Sequence, residues 1–154
     1  MAHSRYLIIG LGRFGAALAE SLSEQGAEVI AVDRDMAMVD AVKQKVAYAI
    51  ELDATDPQAL LSVDPLKCRA AIVAIGENFE ATVMSIAALR EIGVREIVAR
   101  SRSARESRIL QAVGATQVIE LEAEMGRTLG KRLMAVPENQ PLLAQAAKTY
   151  APTA

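Results

Sequence analysis

The residues best suited to chemistry lie near the front of this 154-residue chain, where the apolar run YLIIGLGRFG carries Gly10, Gly12 and Gly15. Their G-x-G-x-x-G spacing follows a β-branched run and opens a helical pattern, the context that makes such a loop a nucleotide-binding signal. Gly10 permits a tight turn, Gly12 lets the backbone approach a pyrophosphate, and Gly15 allows a helix to pack closely on a strand. The helix N-terminus then presents free N–H groups and a positive dipole end to phosphates. Asp33, eighteen residues past Gly15, ends the next strand and can accept both ribose hydroxyls, which disfavours a 2′-phosphate and hence NADP.

Other side chains gather around that loop in the order of the chain. Arg13, with Phe14 beside it, puts a cation next to the phosphates of its own ligand or of one in a facing subunit; a solvated loop arginine is the plainer alternative. Arg34 can stack its guanidinium plane on an adenine ring or form an exposed salt bridge. In LDATD, Asp53 and Ala54 fall where an adenine edge would lie, with Asp53 placed to accept from the adenine amino group, while Thr55 and Asp56 begin the following turn. In AIGEN, Ile75, Gly76 and Asn78 follow the fourth strand at the crevice outside the strand ends and can line ribose and phosphate. Of the five arginines from Arg95 to Arg108, Arg100 ends the fifth strand and is the expected phosphate contact, whereas Arg102, Arg105 and Arg108 belong on a solvated helix surface.

The elements that must position these residues alternate. Short β-branched runs at Tyr6 to Gly10, Glu28 to Asp33, Ala47 to Glu51, Arg69 to Ile75, Glu96 to Arg100 and Thr116 to Glu120 are separated by helical stretches, the pattern of βαβ crossovers and a parallel sheet. Asp35 caps a helix to about Val46, Asp56 and Pro57 open a short one, and Asn78 starts one that ends near Ile92 and Gly93. SARE, Ser103 to Glu106, is a capping box for a helix stopped by Gly114. After the sixth strand, Glu122 to Met134 reads as a helix with Met125, Leu129 and Leu133 on one face. That stripe either folds back on its own sheet or crosses to a second subunit. The expected fold is α/β: a Rossmann-like parallel six-stranded sheet with helices on both faces and a C-terminal crossover helix. Residues 1–134 form the nucleotide-binding domain, and residues 135–154, with Pro137 and Pro141, a linker and frayed tail.

Composition narrows the function classes. The chain is 52% hydrophobic and 23% charged, with a formal net charge of −2, no Trp and 3% aromatics, which fits a globular α/β domain and argues against a nucleic-acid surface. No apolar run approaches the roughly 18 residues of a membrane span and MAHSR is no signal peptide, so a cytoplasmic chain without direct membrane insertion is expected. Cys68 has no partner for an intrachain disulfide, and with the single His3 it makes no metal cluster. A dehydrogenase would need a substrate domain and an acid or base. No Tyr-x-x-x-Lys or Ser-x-x-x-Lys pair supplies one, and His3 precedes the first strand. The expectation is a protein that is not an enzyme; the rival is an NAD-dependent oxidoreductase or a fragment of one.

In the order IGLGRFG, VIAVDRD, DATD, AIVAIGENFEAT and LEAEMG, the chain from about Tyr6 to Leu133 resembles the N-terminal lobe of the RCK/KTN (TrkA-N) family, cytoplasmic regulators of potassium channels and transporters. It is most similar to the gating subunits of Ktr-type uptake systems. The resemblance implies a lobe that binds ATP, ADP or NAD(H), dimerises through its last helices and assembles into an octameric ring. That ring would lie at the inner face of the cell membrane beneath an integral membrane potassium pore subunit. It also implies that Arg13 reaches a neighbour's γ-phosphate, and that Glu122 sits near a divalent cation, magnesium or calcium, at the dimer interface when ATP is bound. Asp33, Asp53 and Arg100 fall on family ligand positions. The lobe of a potassium/proton antiporter is a related alternative. Family regulators usually continue into a second ligand-binding lobe, expected to be absent or truncated here.

Overall fold

The computed structural model describes residues 4–142. The chain divides into two compact units, residues 1–120 and a second beginning at Leu121.

The first unit is built on a six-stranded sheet: β1 (Arg5–Ile9), β2 (Glu28–Asp33), β3 (Tyr48–Glu51), β4 (Ala70–Val73), β5 (Ile97–Ser101) and β6 (Gln117–Glu120). All five pairings are parallel, and the strand order is β3-β2-β1-β4-β5-β6, the doubly wound order of a dinucleotide fold. Between the strands run α1 (Arg13–Glu24), α2 (Met36–Val42), α3 (Pro57–Leu61), α4 (Phe79–Ile92) and α5 (Ala104–Val113).

The sheet is covered on both faces, which is why its central strands are almost wholly apolar. Along β1 the side chains alternate: Leu7 and Ile9 face a core with Leu60 of α3, Ile86 and Leu89 of α4 and Leu110 of α5. Ile8 faces the other core, with Ala19 of α1 and Val39 and Val42 of α2. The N-cap side chains accept as expected, although in SARE the Glu106 carboxylate accepts from the Arg102 N–H instead of the Ser103 N–H of a capping box. Asp35, Asp56, Asn78 and Ser103 accept from the backbone N–H of Ala37, Gln58, Ala81 and Glu106, and Gly93, at φ 101°, closes α4.

Two elements are shorter than the sequence suggests. The second helix stops at Val42 rather than Val46, because the Lys45 N–H takes the Val42 carbonyl in a tight turn that feeds β3. The fourth strand ends at Val73, which leaves Ala74 and Ile75 free to line the sheet's C-terminal edge. The second unit holds α6 (Leu121–Ala135), where Met125, Leu129 and Leu133 are exposed, and a turn in which Gln140 N–H donates to the Pro137 carbonyl. His3 and the tail beyond residue 142 lie outside the described residues.

The tightest point in the fold is the glycine turn. Gly10 adopts φ +92°, and a side chain there would meet Ile75 N at 2.9 Å; a Cβ on Gly15 would overlap the Gly10 carbonyl oxygen. Gly15→Ala is therefore expected to lose about 1–3 kcal/mol of stability, read as a lower denaturation midpoint in urea with an unchanged slope.

Candidate functional site

At the C-terminal edge of the sheet the ends of β1, β2, β3 and β4 surround one cleft of about 160 Å³. It forms where β1 lies between β2 and β4: chain leaves β1 toward one face and β4 toward the other, opening a crevice at the strand ends. The cleft is lined by Gly10 and Gly12 from the glycine loop, Asp33 and Arg34 after β2, Asp53 and Ala54 after β3, and Ile75, Gly76 and Asn78 after β4. Four stretches read separately in the sequence thus share one cavity.

The glycine loop is held in place by its neighbours. Gly10 N–H donates to the Val32 carbonyl at 2.9 Å, and Leu11 N–H donates to Asp33 Oδ2 at 2.8 Å. The second Asp33 oxygen accepts from Asp35 N–H at 2.9 Å. Asp33 is therefore a strut as well as a candidate ribose partner, since each carboxylate oxygen keeps a further lone pair for a ligand.

Gly12 behaves differently from Gly10 and Gly15. Its φ of −68° is open to any residue, and a Cβ there would meet nothing within 4 Å. Nothing inside the described chain requires glycine at this position. No side chain caps α1, which Gly12 begins, and no acid occupies its first turn, so its positive end faces the cleft mouth uncompensated.

The remaining expected residues are not part of the cleft lining. Arg13 is the first residue of α1, exposed and outside the cleft lining. Gly15 is buried beneath the loop, where it acts through packing. Arg100 holds its guanidinium 6.0 Å from the Phe14 ring centroid, close enough to Gly76 that a Cβ there would lie 3.4 Å from its Nη1. Arg100 and Phe14 thus form the cleft's outer shoulder. Glu122 stands in the first turn of α6. Among the described residues no group of three or more acidic, His or Cys side chains could hold a metal, and one carboxylate is too few for a hard cation without phosphate oxygens or a second chain.

Sequence reading missed the apolar floor. Ile9, Val32 and Leu52 lie at strand ends, and Ala81 and Ser85 come from α4. The signal was present, since Ala81 and Ser85 are one helical turn apart and small, but the same spacing describes any helix packed on a sheet. The titratable side chains lining the cleft among the described residues are Asp33, Arg34 and Asp53. Cys68, half-buried away from the cleft, has its thiol pushed up to about 11 by burial, so it stays protonated and unreactive.

The chain resembles known proteins over most of its length. The chain matches the TrkA-N domain over residues 6–121. It is 31% identical over 129 residues to Ktr system potassium uptake protein C of Bacillus subtilis (strain 168), covering 84% of this chain and 58% of that protein. The chain thus spans less than two thirds of that curated relative. Among solved structures, the NAD(P)-binding domain of an exopolyphosphatase-related protein from Archaeoglobus fulgidus superposes with a TM-score of 0.77 at 22% identity, over 85% of this chain and 98% of that one. The GsuK channel bound to NAD gives a TM-score of 0.69 at 20% identity, over 85% and 24% of the two chains. The same protein bound to ADP gives 0.67 at 21%, over 85% and 35%.

Asp53 supplies a test of the geometry. Its Oδ1 accepts from the Thr55 hydroxyl at 2.7 Å and the Thr55 N–H at 3.0 Å, and these bonds hold its carboxyl below the usual carboxylate range. A folded-state pKa below the unfolded one means that the bonds stabilise the fold above the unfolded pKa, and that this stability is lost as pH falls through the folded pKa. Thr55→Val is expected to raise the Asp53 pKa toward its ordinary value in a carboxyl carbon NMR titration. An unmoved pKa would show that the Thr55 hydroxyl is not its main partner.

Proposed function

The chain belongs to the TrkA-N domain family, and from that premise we propose that it is the nucleotide-binding regulatory lobe of a potassium transporter or channel, reading ATP, ADP or NAD(H) as a signal. Gly12 carries the reading: a glycine that neither its own backbone nor its neighbours require keeps space for something that is not part of the chain. A pyrophosphate suits that space, because it lies beside the uncapped N-terminus of α1. The lining titratable groups favour binding over proton transfer, since Asp33 and Asp53 are already engaged as acceptors that shape the loops.

In this reading the ribose lies on Asp33 and the phosphates on the glycine loop, with Arg100 at the shoulder. The Bacillus relative is by name a potassium uptake protein, and the GsuK channel has been solved with NAD and with ADP. By extension the lobe pairs through α6, whose exposed Met125, Leu129 and Leu133 stripe suits a second copy. The pairs build an octameric ring at the inner membrane face, under an integral membrane pore subunit. Arg13, exposed and outside its own cleft, reaches the γ-phosphate held by a facing subunit. A divalent cation would be held by Glu122 only together with those phosphates and the facing chain. A ligand switches such an assembly only by binding its two geometries with different affinity.

Calorimetric titration with ATP, ADP and NADH, with and without magnesium, tests the reading. Gly12→Ala is expected to change folding stability by less than about 1 kcal/mol while lowering nucleotide affinity at least tenfold; equal affinity in variant and wild type would refute the assignment. Arg13→Ala is expected to narrow the ratio of ATP to ADP affinity, and an unchanged ratio would remove the bridging role.

A further inference from the structure

Ser85 stands on the inner face of α4, fully buried, and its Oγ has no hydrogen-bond partner among the described residues. Helical serines ordinarily return their hydroxyl to the carbonyl four residues earlier, and a buried hydroxyl left unpaired is a standing cost to the fold. Thr82, one turn away on the same helix, does make that bond, to the Asn78 carbonyl at 3.1 Å. Ser85 differs from it in lining the cleft.

Apolar side chains share the cleft with Ser85. Leu52 and Ala54 come from the β3 side and Ala81 from α4, and all three line the same space. The phosphate end of the cleft is fixed at the glycine loop, and the ribose end at Asp33. What remains lies between the loop after β3 and α4, where Leu52, Ala54 and Ala81 share the lining with the Ser85 hydroxyl and the loop also carries Asp53 and Thr55. A heterocyclic base has that character, with apolar faces and hydrogen-bonding atoms confined to its edge.

We infer that Ser85 takes part with Asp53 in reading the nucleobase, its hydroxyl bonding the edge of a purine seated against α4. This rests on the nucleotide reading above and adds the part of the ligand that the hydroxyl recognises. It gives the unpaired oxygen a partner that arrives only with the ligand. The base edge therefore contributes to affinity a bond that the empty fold lacks.

The experiment compares wild type with Ser85→Ala, using ATP and ribose 5-triphosphate, which carries the phosphates without a base. The variant is expected to bind ATP about 5- to 10-fold more weakly, as befits one lost hydrogen bond. It should bind ribose 5-triphosphate as wild type does and melt at the same or a higher temperature. Equal ATP affinity in both proteins overturns the inference, and so does an equal loss for both ligands, which would mark Ser85 as structural. A wild-type chain that binds ribose 5-triphosphate as tightly as ATP also overturns it while leaving the nucleotide site standing. A wild type that binds no nucleotide at all overturns the site itself and this inference with it.

Discussion

Everything at the C-terminal edge of the sheet depends on how closely α1 approaches the end of β1. The Gly15 backbone lies against the Gly10 carbonyl with no room for a side chain, and that contact sets where the N-terminus of α1 points. Asp33 secures the arrangement from the neighbouring strand through Leu11 N–H, and Val32 secures it through Gly10 N–H. The loop is thus pinned by β2, backed by Ile75 after β4, and capped by its own helix. A phosphate-binding geometry needs such preorganisation, because backbone N–H groups cannot be moved one at a time to suit a ligand.

Electrostatics and packing divide the work within the cleft. The acids that face it are committed to the backbone or hydroxyl of their own loops, so they present directed lone pairs instead of mobile charge. Cationic charge comes from Arg34 in the lining and Arg100 at the shoulder, together with the dipole of α1. The floor is apolar. Such a division suits a ligand with an anionic end, a hydroxylated middle and a flat apolar end.

Much of this was legible in the sequence because it rests on local rules. The helix starts at Asp35, Asp56, Asn78 and Ser103 are side-chain caps, visible as residue types next to periodic runs. The six strands follow from apolar runs broken by turns, and their parallel arrangement from the helices between them. Less visible was anything set by partners far along the chain. Asp33 read as a ribose ligand, but its bond to Leu11 depends on two strand ends meeting. The early end of α2 depends on a turn that nothing in residues 43–46 announces. Ser85 sits among Ile86, Ala88 and Leu89 in what reads as one more buried helix face, and only the cavity beside it distinguishes it.

The strand order has a consequence for how the protein is made. Central strand β1 takes β4 as its second neighbour, so Tyr6 is paired with Ala70, 64 positions later. One side of the cleft wall, from Ile75 to Ser85, leaves the ribosome after the glycine loop and the strands on its other side. Long-range parallel pairings form slowly, because loop closure must precede the contacts that reward it. During synthesis the glycine loop waits with one flank exposed until β4 docks, and a shortened chain ending before that strand carries the fingerprint without the pocket. Anything that binds at this edge can therefore favour folding only for a chain already past its midpoint, drawing the late strand into place by mass action.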